Sequence, residues 1–267
     1  MKTRCFILLL LCAGHCAAQS MRYPVALPYI GLGAYSNQPD AFSFTANQAS
    51  LGRVKKITAG VYGERRFLLA ATGFYSAAVA IPSKAGNIAL LLNYSGYKNF
   101  NEHKLGVAYA RNLGNRIDLG IQFDHCGFNV PGYEGANAVT AELGMILHLT
   151  NRFHTGMHFY NPTSVKIGKT GGRLAAAYKF GFGYDAADNF FAGAEIIKEE
   201  DKPVNVLASF QYCFAKQFFI RGGILSESAT AFAGIGLSIK NMRMDVSASL
   251  HPQLGISPGL LIIFFTN

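Results

Sequence analysis

Arg116-Ile117-Asp118-Leu119-Gly120-Ile121-Gln122-Phe123-Asp124 is the stretch that decides the fold. Ile117, Leu119, Ile121 and Phe123 alternate with Arg116, Asp118, Gly120, Gln122 and Asp124. A repeat of two gives an extended strand one oily face and one wet face, because successive Cβ atoms point to opposite sides. The same alternation recurs from Ile57 to the end. Candidate strands centre near 57–66, 71–81, 87–98, 102–111, 115–126, 137–149, 152–160, 171–183, 189–198, 203–214, 217–225, 230–240, 242–250 and 257–265. Asn, Asp, Gly and Pro punctuate them, the chemistry of tight turns.

The first twenty residues read differently. Lys2 and Arg4 precede the apolar run Phe6 to Leu11, and Cys16-Ala17-Ala18 offers small residues for cleavage, so 1–20 reads as a signal peptide. A membrane anchor is the competing reading, but the run is short for a bilayer. Half the residues are apolar, yet no later stretch reaches about 18 uninterrupted apolar residues. Many half-oily strands behind a leader predict an all-β protein: a transmembrane antiparallel β-barrel of about 14 strands in the cell outer membrane, spanning 57–267. Lipid, not a large core, then accommodates the apolar fraction. A secreted soluble β-sandwich also alternates, with shorter strands and longer polar loops. Trp is absent, so interfacial belts fall to the 13 Tyr and 21 Phe.

Residues 21–56 interrupt the pattern. Pro24, Pro28 and Pro39 precede Asp40, which is placed to cap a short helix. This segment reads as a plug or lining of the barrel lumen, with a flexible periplasmic tail as the competing reading.

Charges facing lipid near the midplane cost about 2–4 kcal/mol each. The parity opposite the apolar face therefore assigns polar residues to the lumen: Arg116, Asp118, Glu142, Arg173, Arg221, Arg243 and Asp245, together with Arg65 and Arg66 as luminal or ligand candidates. Small residues share that face, among them Gly120, Gly144, Gly181 and Gly183, leaving room for the leading segment or a ligand. The net charge of +9 falls to +7 without Lys2 and Arg4. Secretion argues against nucleic acid; lipopolysaccharide phosphates, an anionic luminal solute or scattered solvated charges are the remaining readings. Cys126 and Cys213 lie in strand patterns, and their pairing is not readable from spacing. His148, His154 and His158 cluster in sequence without metal spacing. No G-x-S-x-G elbow or other catalytic motif occurs, and no cofactor or enzyme activity is expected.

Asp40-Ala41-Phe42-Ser43-Phe44-Thr45-Ala46-Asn47-Gln48-Ala49-Ser50-Leu51-Gly52 and Val61-Tyr62-Gly63-Glu64-Arg65-Arg66-Phe67 resemble the opening of the PorV/PorQ-like outer-membrane proteins of Bacteroidetes. Gly106 to Arg111, Phe159-Tyr160-Asn161-Pro162 and His251 to Pro258 extend the resemblance along the mature chain. Those proteins are distant relatives of FadL-type fatty-acid transporters. The resemblance implies a 14-stranded barrel with its N-terminal segment in the lumen. Relatives often read Asn-Pro-Ala where this chain has Asn47, Gln48 and Ala49 as its plug motif. Two functions follow as expectations: passage of a small hydrophobic or amphipathic molecule, or a non-transporting scaffold in type IX-like secretion or surface assembly. The expected partners are outer-membrane lipid and lipopolysaccharide, a hydrophobic small molecule and a secretion-system protein, around a monomer.

Overall fold

The computed structural model describes residues 27–129, 135–168 and 172–266. The signal-peptide reading of 1–20 and residues 21–26 lie outside them.

Fourteen strands close into one barrel. In chain order they are β1 (Thr58–Arg65), β2 (Gly73–Ile81), β3 (Asn87–Tyr97), β4 (Phe100–Leu113), β5 (Ile117–Asn129), β6 (Ala136–His148) and β7 (Phe153–Tyr160), then β10 (Ala177–Ala187), β11 (Phe190–Glu199), β12 (Asn205–Phe214), β13 (Phe218–Leu225), β14 (Thr230–Ile239), β15 (Met242–His251) and β16 (Gly255–Phe265). The two short strands β8 (Lys166–Ile167) and β9 (Gly172–Arg173) form a separate hairpin between β7 and β10. Each wall strand pairs antiparallel with its neighbour, and β16 returns to β1 from Thr58↔Phe265 to Glu64↔Gly259. Closure leaves no unpaired edge, which hydrocarbon requires. The strand expected at 171–183 begins only at Ala177 and runs on to Ala187; its first residues belong to the β8–β9 hairpin.

One end of the barrel carries the entry to β1, the exit of β16 and connections of two to five residues. The other carries the longest ones, 66–72 and 161–176. Outer-membrane barrels keep their short turns periplasmic, so the first end is periplasmic and the second extracellular. The Glu200 carboxylate ties the long extracellular connection down. It accepts from the Ala176 amide (3.2 Å) and the Ser164 hydroxyl (2.9 Å). These two bonds, the amide first, hold its carboxyl below the usual range.

The apolar parity faces outward, as with Ile88, Leu90 and Leu92 on β3 and Leu105, Val107 and Tyr109 on β4. Tyr75, Tyr94, Tyr97, Phe100 and Tyr178 ring the extracellular end; Tyr109, Tyr184, Tyr212, Phe214, Phe218 and Phe264 ring the periplasmic end. These are the belts expected of a chain without Trp. Leu90→Arg in the middle of β3 is expected to lower the stability of the membrane-inserted barrel by about 2–4 kcal/mol. Urea titration in lipid vesicles measures this, with Asn93→Arg on the inner face as the milder comparison.

Inside, the described part of the leading segment folds into the lumen as short helical turns, Pro28–Gly31, Leu32–Tyr35, Ser43–Thr45 and Gln48–Arg53. Tyr29, Leu32, Tyr35, Phe42, Phe44 and Leu51 merge with inward Tyr62, Phe74, Leu91, Phe191, Phe232 and Leu261 into one buried core. The inward glycines make this possible. A Cβ on Gly120 would stand 2.4 Å from the carbonyl carbon of Gln48; one on Gly144, 2.3 Å from Asn47 Oδ1; one on Gly181, 2.3 Å from the Tyr35 ring. Real Cβ atoms do not approach that closely, so hydrogen at these positions lets the segment lie against the wall.

Candidate functional site

The luminal segment runs the height of the barrel. Leu27 and Pro28 sit near Leu225, Ser228 and Thr230 at the extracellular end. Ser36, Asn37 and Gln38 reach the periplasmic turns, bonding to Asp185, Asn151 and Asp188. The chain then climbs to mid-height at Asn47 and Gln48. It descends again to Leu51 and Val54, whose carbonyls accept from Asn87 Nδ2 at 2.7 and 2.8 Å.

Three polar clusters hold it. The first is on β4 to β7. The Lys104 ammonium lies 2.5 Å from Glu142 and 3.2 Å from Asp124. Glu142 also meets His158 Nε2 at 2.9 Å and accepts from Gln48 Nε2, which joins the plug to this wall. Asn47 follows the same logic: its Oδ1 accepts from the Ala49 amide at 3.0 Å, capping the turn, while its Nδ2 donates to the Met157 carbonyl at 3.1 Å.

The second cluster lies opposite, on β12 to β15. Asp40 accepts from the Phe42 amide (3.0 Å) and the Ser43 hydroxyl (3.1 Å), stabilising the turn ahead of Ser43–Thr45. Its other oxygen meets the guanidinium of Arg221 at 3.0 Å and of Arg243 at 3.8 Å. Arg243 grips Asp245, which also accepts from the Tyr29 hydroxyl at 3.1 Å. Arg221 Nε donates to Gln211 at 2.6 Å.

The third cluster lies at the periplasmic mouth. Arg53 and His148 both contact Asp118 Oδ2, at 2.9 and 2.6 Å. His148 Nδ1 and His154 Nδ1 are 2.7 Å apart, and His154 Nε2 lies 3.2 Å from Asp185. Each outer Nε2 faces a carboxylate. Asp185 in turn accepts from Ser36 Oγ at 2.9 Å.

Open space remains at both ends. Above the plug, a cavity of about 210 Å³ is lined by Leu27, Tyr29, Tyr62, Leu225 and Phe232, with Glu64, Thr230, Ser247 and Ser249 at its edges. A smaller space of about 100 Å³ adjoins Leu27 and holds Lys179 and Glu195. Below, cavities of about 630 and 560 Å³ flank Ser36 to Gln38 and open at the periplasmic turns.

Of the predicted luminal residues, Asp118, Glu142, Arg221, Arg243 and Asp245 are buried inside. Arg66 lies at the extracellular edge, 3.4 Å from Glu64 and stacked near Phe74. Arg65, Arg116 and Arg173 depart from the expectation; all three are exposed. Arg65 follows inward Glu64 and so points out. Arg116 sits in the turn before β5, and Arg173 on the β8–β9 hairpin. Of the predicted luminal cations, Arg221 and Arg243 are ion-paired, with Asp40 and Asp245, rather than free. The three histidines split, His158 going to Glu142 and the other two to the mouth. Cys126 and Cys213 are free thiols. Asp40 as a plug anchor was legible only as a turn-former, because its partners lie 181 residues away.

No protein-family profile matches the chain, and no curated protein sequence does. Solved structures do match. The monoaromatic hydrocarbon channel CymD superposes with a TM-score of 0.64 at 10% identity, covering 89% of this chain and 97% of that one. The toluene transporter TodX of Pseudomonas putida gives 0.62 at 9% identity over 88% and 95%. The toluene transporter TbuX of Ralstonia pickettii gives 0.60 at 11% identity over 90% and 97%. At these identities the likeness is one of fold: the chain is built as a 14-stranded outer-membrane barrel of the kind these hydrocarbon channels use.

Proposed function

We propose that the protein passes small hydrophobic molecules across the outer membrane. The observation that carries this is the cavity above the plug. Its walls are mostly apolar with a few polar groups at the rim, the usual make-up of a ligand site. Its volume, about 210 Å³, is below the roughly 300–1,000 Å³ common for drug-sized ligands. A single-ring hydrocarbon suits it better than a long acyl chain. The hydrocarbon channels that share the fold support the same class of cargo. Entry is from the extracellular end, and onward passage requires the plug to shift from the Asp40 and Glu142 clusters.

Phe232→Arg tests the reading. Phe232 is buried between Tyr29 and the cavity, its ring edge-on to Tyr29. A charge there is expected to lower the rate of radiolabelled toluene uptake by about tenfold or more in lipopolysaccharide-containing outer-membrane vesicles, since a charge in an apolar site costs well over 1.4 kcal/mol. Uptake equal to wild type, with the barrel folded, would sink the reading.

The second reading is a non-transporting barrel that binds a partner, as the PorV/PorQ resemblance suggests for type IX-like secretion. The closed polar clusters favour it, because they seal the lumen at mid-height. Co-purification of a stoichiometric envelope protein, with no hydrocarbon uptake, would select it.

A further inference from the structure

The charge of this protein is sorted by end. Five of the six periplasmic turns each carry one basic residue, Lys84, Arg116, Arg152, Lys216 and Lys240. Lys55 and Lys56 add two where the chain enters β1, and Arg111 adds one near the end of β4. All are exposed, and none has an ion-pair partner among the described residues. Among the described residues Asp188 is the lone exposed acid at this end. The extracellular end is nearly balanced among the described residues: Arg65, Lys98, Lys166, Arg173 and Lys198 face Glu102, Glu200, Asp201 and Glu227, while Arg66 and Lys202 are paired with Glu64 and Glu199. The basic excess therefore sits at the end away from the lipopolysaccharide leaflet.

The position of these charges says what they meet. They stand at every periplasmic turn but the one between β10 and β11, so they line most of the circumference rather than forming a patch. The turns are so short that each charge lies within a few residues of a lipid-facing apolar side chain. Lys56 adjoins Ile57; Arg116 adjoins Ile117; Lys216 lies between Phe214 and Phe218; Lys240 follows Ile239. A basic residue one step beyond the hydrocarbon boundary snorkels to the headgroup phosphates. We infer that the periplasmic rim is a binding ring for anionic phospholipid headgroups of the inner leaflet, and that this ring fixes the depth and orientation of the barrel.

The test uses the full-length protein in nanodiscs of phosphatidylglycerol and phosphatidylethanolamine, with retained lipids counted by native mass spectrometry. Wild type is expected to retain phosphatidylglycerol preferentially, and added NaCl is expected to erase the preference as the charges are screened. A variant carrying K84Q, R116Q, R152Q, K216Q and K240Q should lose it. A counterpart carrying R65Q, K98Q, K166Q, R173Q and K198Q should keep it. A single exposed basic residue near an anionic surface favours it by about fivefold, so even K216Q alone should give a measurable drop if the multiple variant does not fold. No preference in wild type, a salt-independent preference, or equal loss in both variants would overturn the inference. So would a basic rim occupied by an acidic periplasmic protein, instead of lipid, after gentle extraction from native membrane.

Discussion

Asp40→Ala is expected to unseat the plug while leaving the barrel wall intact. Asp40 is buried, and its carboxylate is the counter-charge between Arg221 and Arg243. Removing one partner of a buried ion pair typically costs about 3–5 kcal/mol, because the remaining charge is stranded. Arg243 keeps Asp245, so the penalty falls on Arg221, whose other partner is neutral Gln211. The plug loses its attachment to β13 and β15, and the population with an open lumen should rise by about a hundredfold or more. Single-channel conductance in planar bilayers reads this directly, and Asp40→Asn separates the effects. The amide oxygen still accepts from Phe42 and Ser43 but carries no charge, so conductance rising equally in both variants assigns the effect to the ion pair. Arg221→Gln added to Asp40→Ala should restore much of the closure. Wild-type conductance in Asp40→Ala would show that the plug is held elsewhere.

Gly120→Val is the second large effect, and it acts through space rather than charge. The new Cβ would meet the carbonyl carbon of Gln48 at 2.4 Å and the amide nitrogen of Ala49 at 2.6 Å. Both are main-chain atoms, so no side-chain rotation relieves the overlap, and overpacking of this kind costs about 1–3 kcal/mol or more. The plug must retreat from β5, which breaks the Gln48–Glu142 hydrogen bond and loosens Arg53 from Asp118. Trypsin should then cleave after Arg53, where wild type is protected. Ala233→Val, a similar enlargement on the lipid face, should leave the digest unchanged. A protected Arg53 in Gly120→Val would mean that wall and plug do not touch there as described.

The strands were legible because lipid on one side and a polar lumen on the other impose a strict period of two on every crossing. Away from the strand ends the same period places Asp118, Glu142, Arg221, Arg243 and Asp245 inside the barrel. Legibility fails at strand ends, where one residue of register decides the face. Arg65 and Arg66 are adjacent, yet one points to the rim and the other across to Glu64. Arg173 failed differently, since a two-residue hairpin strand in a long connection mimics the start of a wall strand. The inward glycines marked room for the leading segment or a ligand without choosing between them, and the plug's anchors were not legible. Asp40, Asn47 and Gln48 look like turn residues until folding brings distant partners to them, and no local pattern encodes such pairings.

Those distances set an order of events. Tyr29 reaches Asp245 across 216 residues, Asp40 reaches Arg221 across 181 and Gln48 reaches Glu142 across 94. Most neighbouring wall strands, by contrast, zip together through short turns, and only the closing pair β16–β1 spans a comparable distance. Contacts that close long loops come late, because their entropy is repaid only once the intervening chain is ordered. The segment synthesised ahead of the wall strands is thus among the last to find its place, and until it does, the nascent cylinder is a hollow, water-filled one.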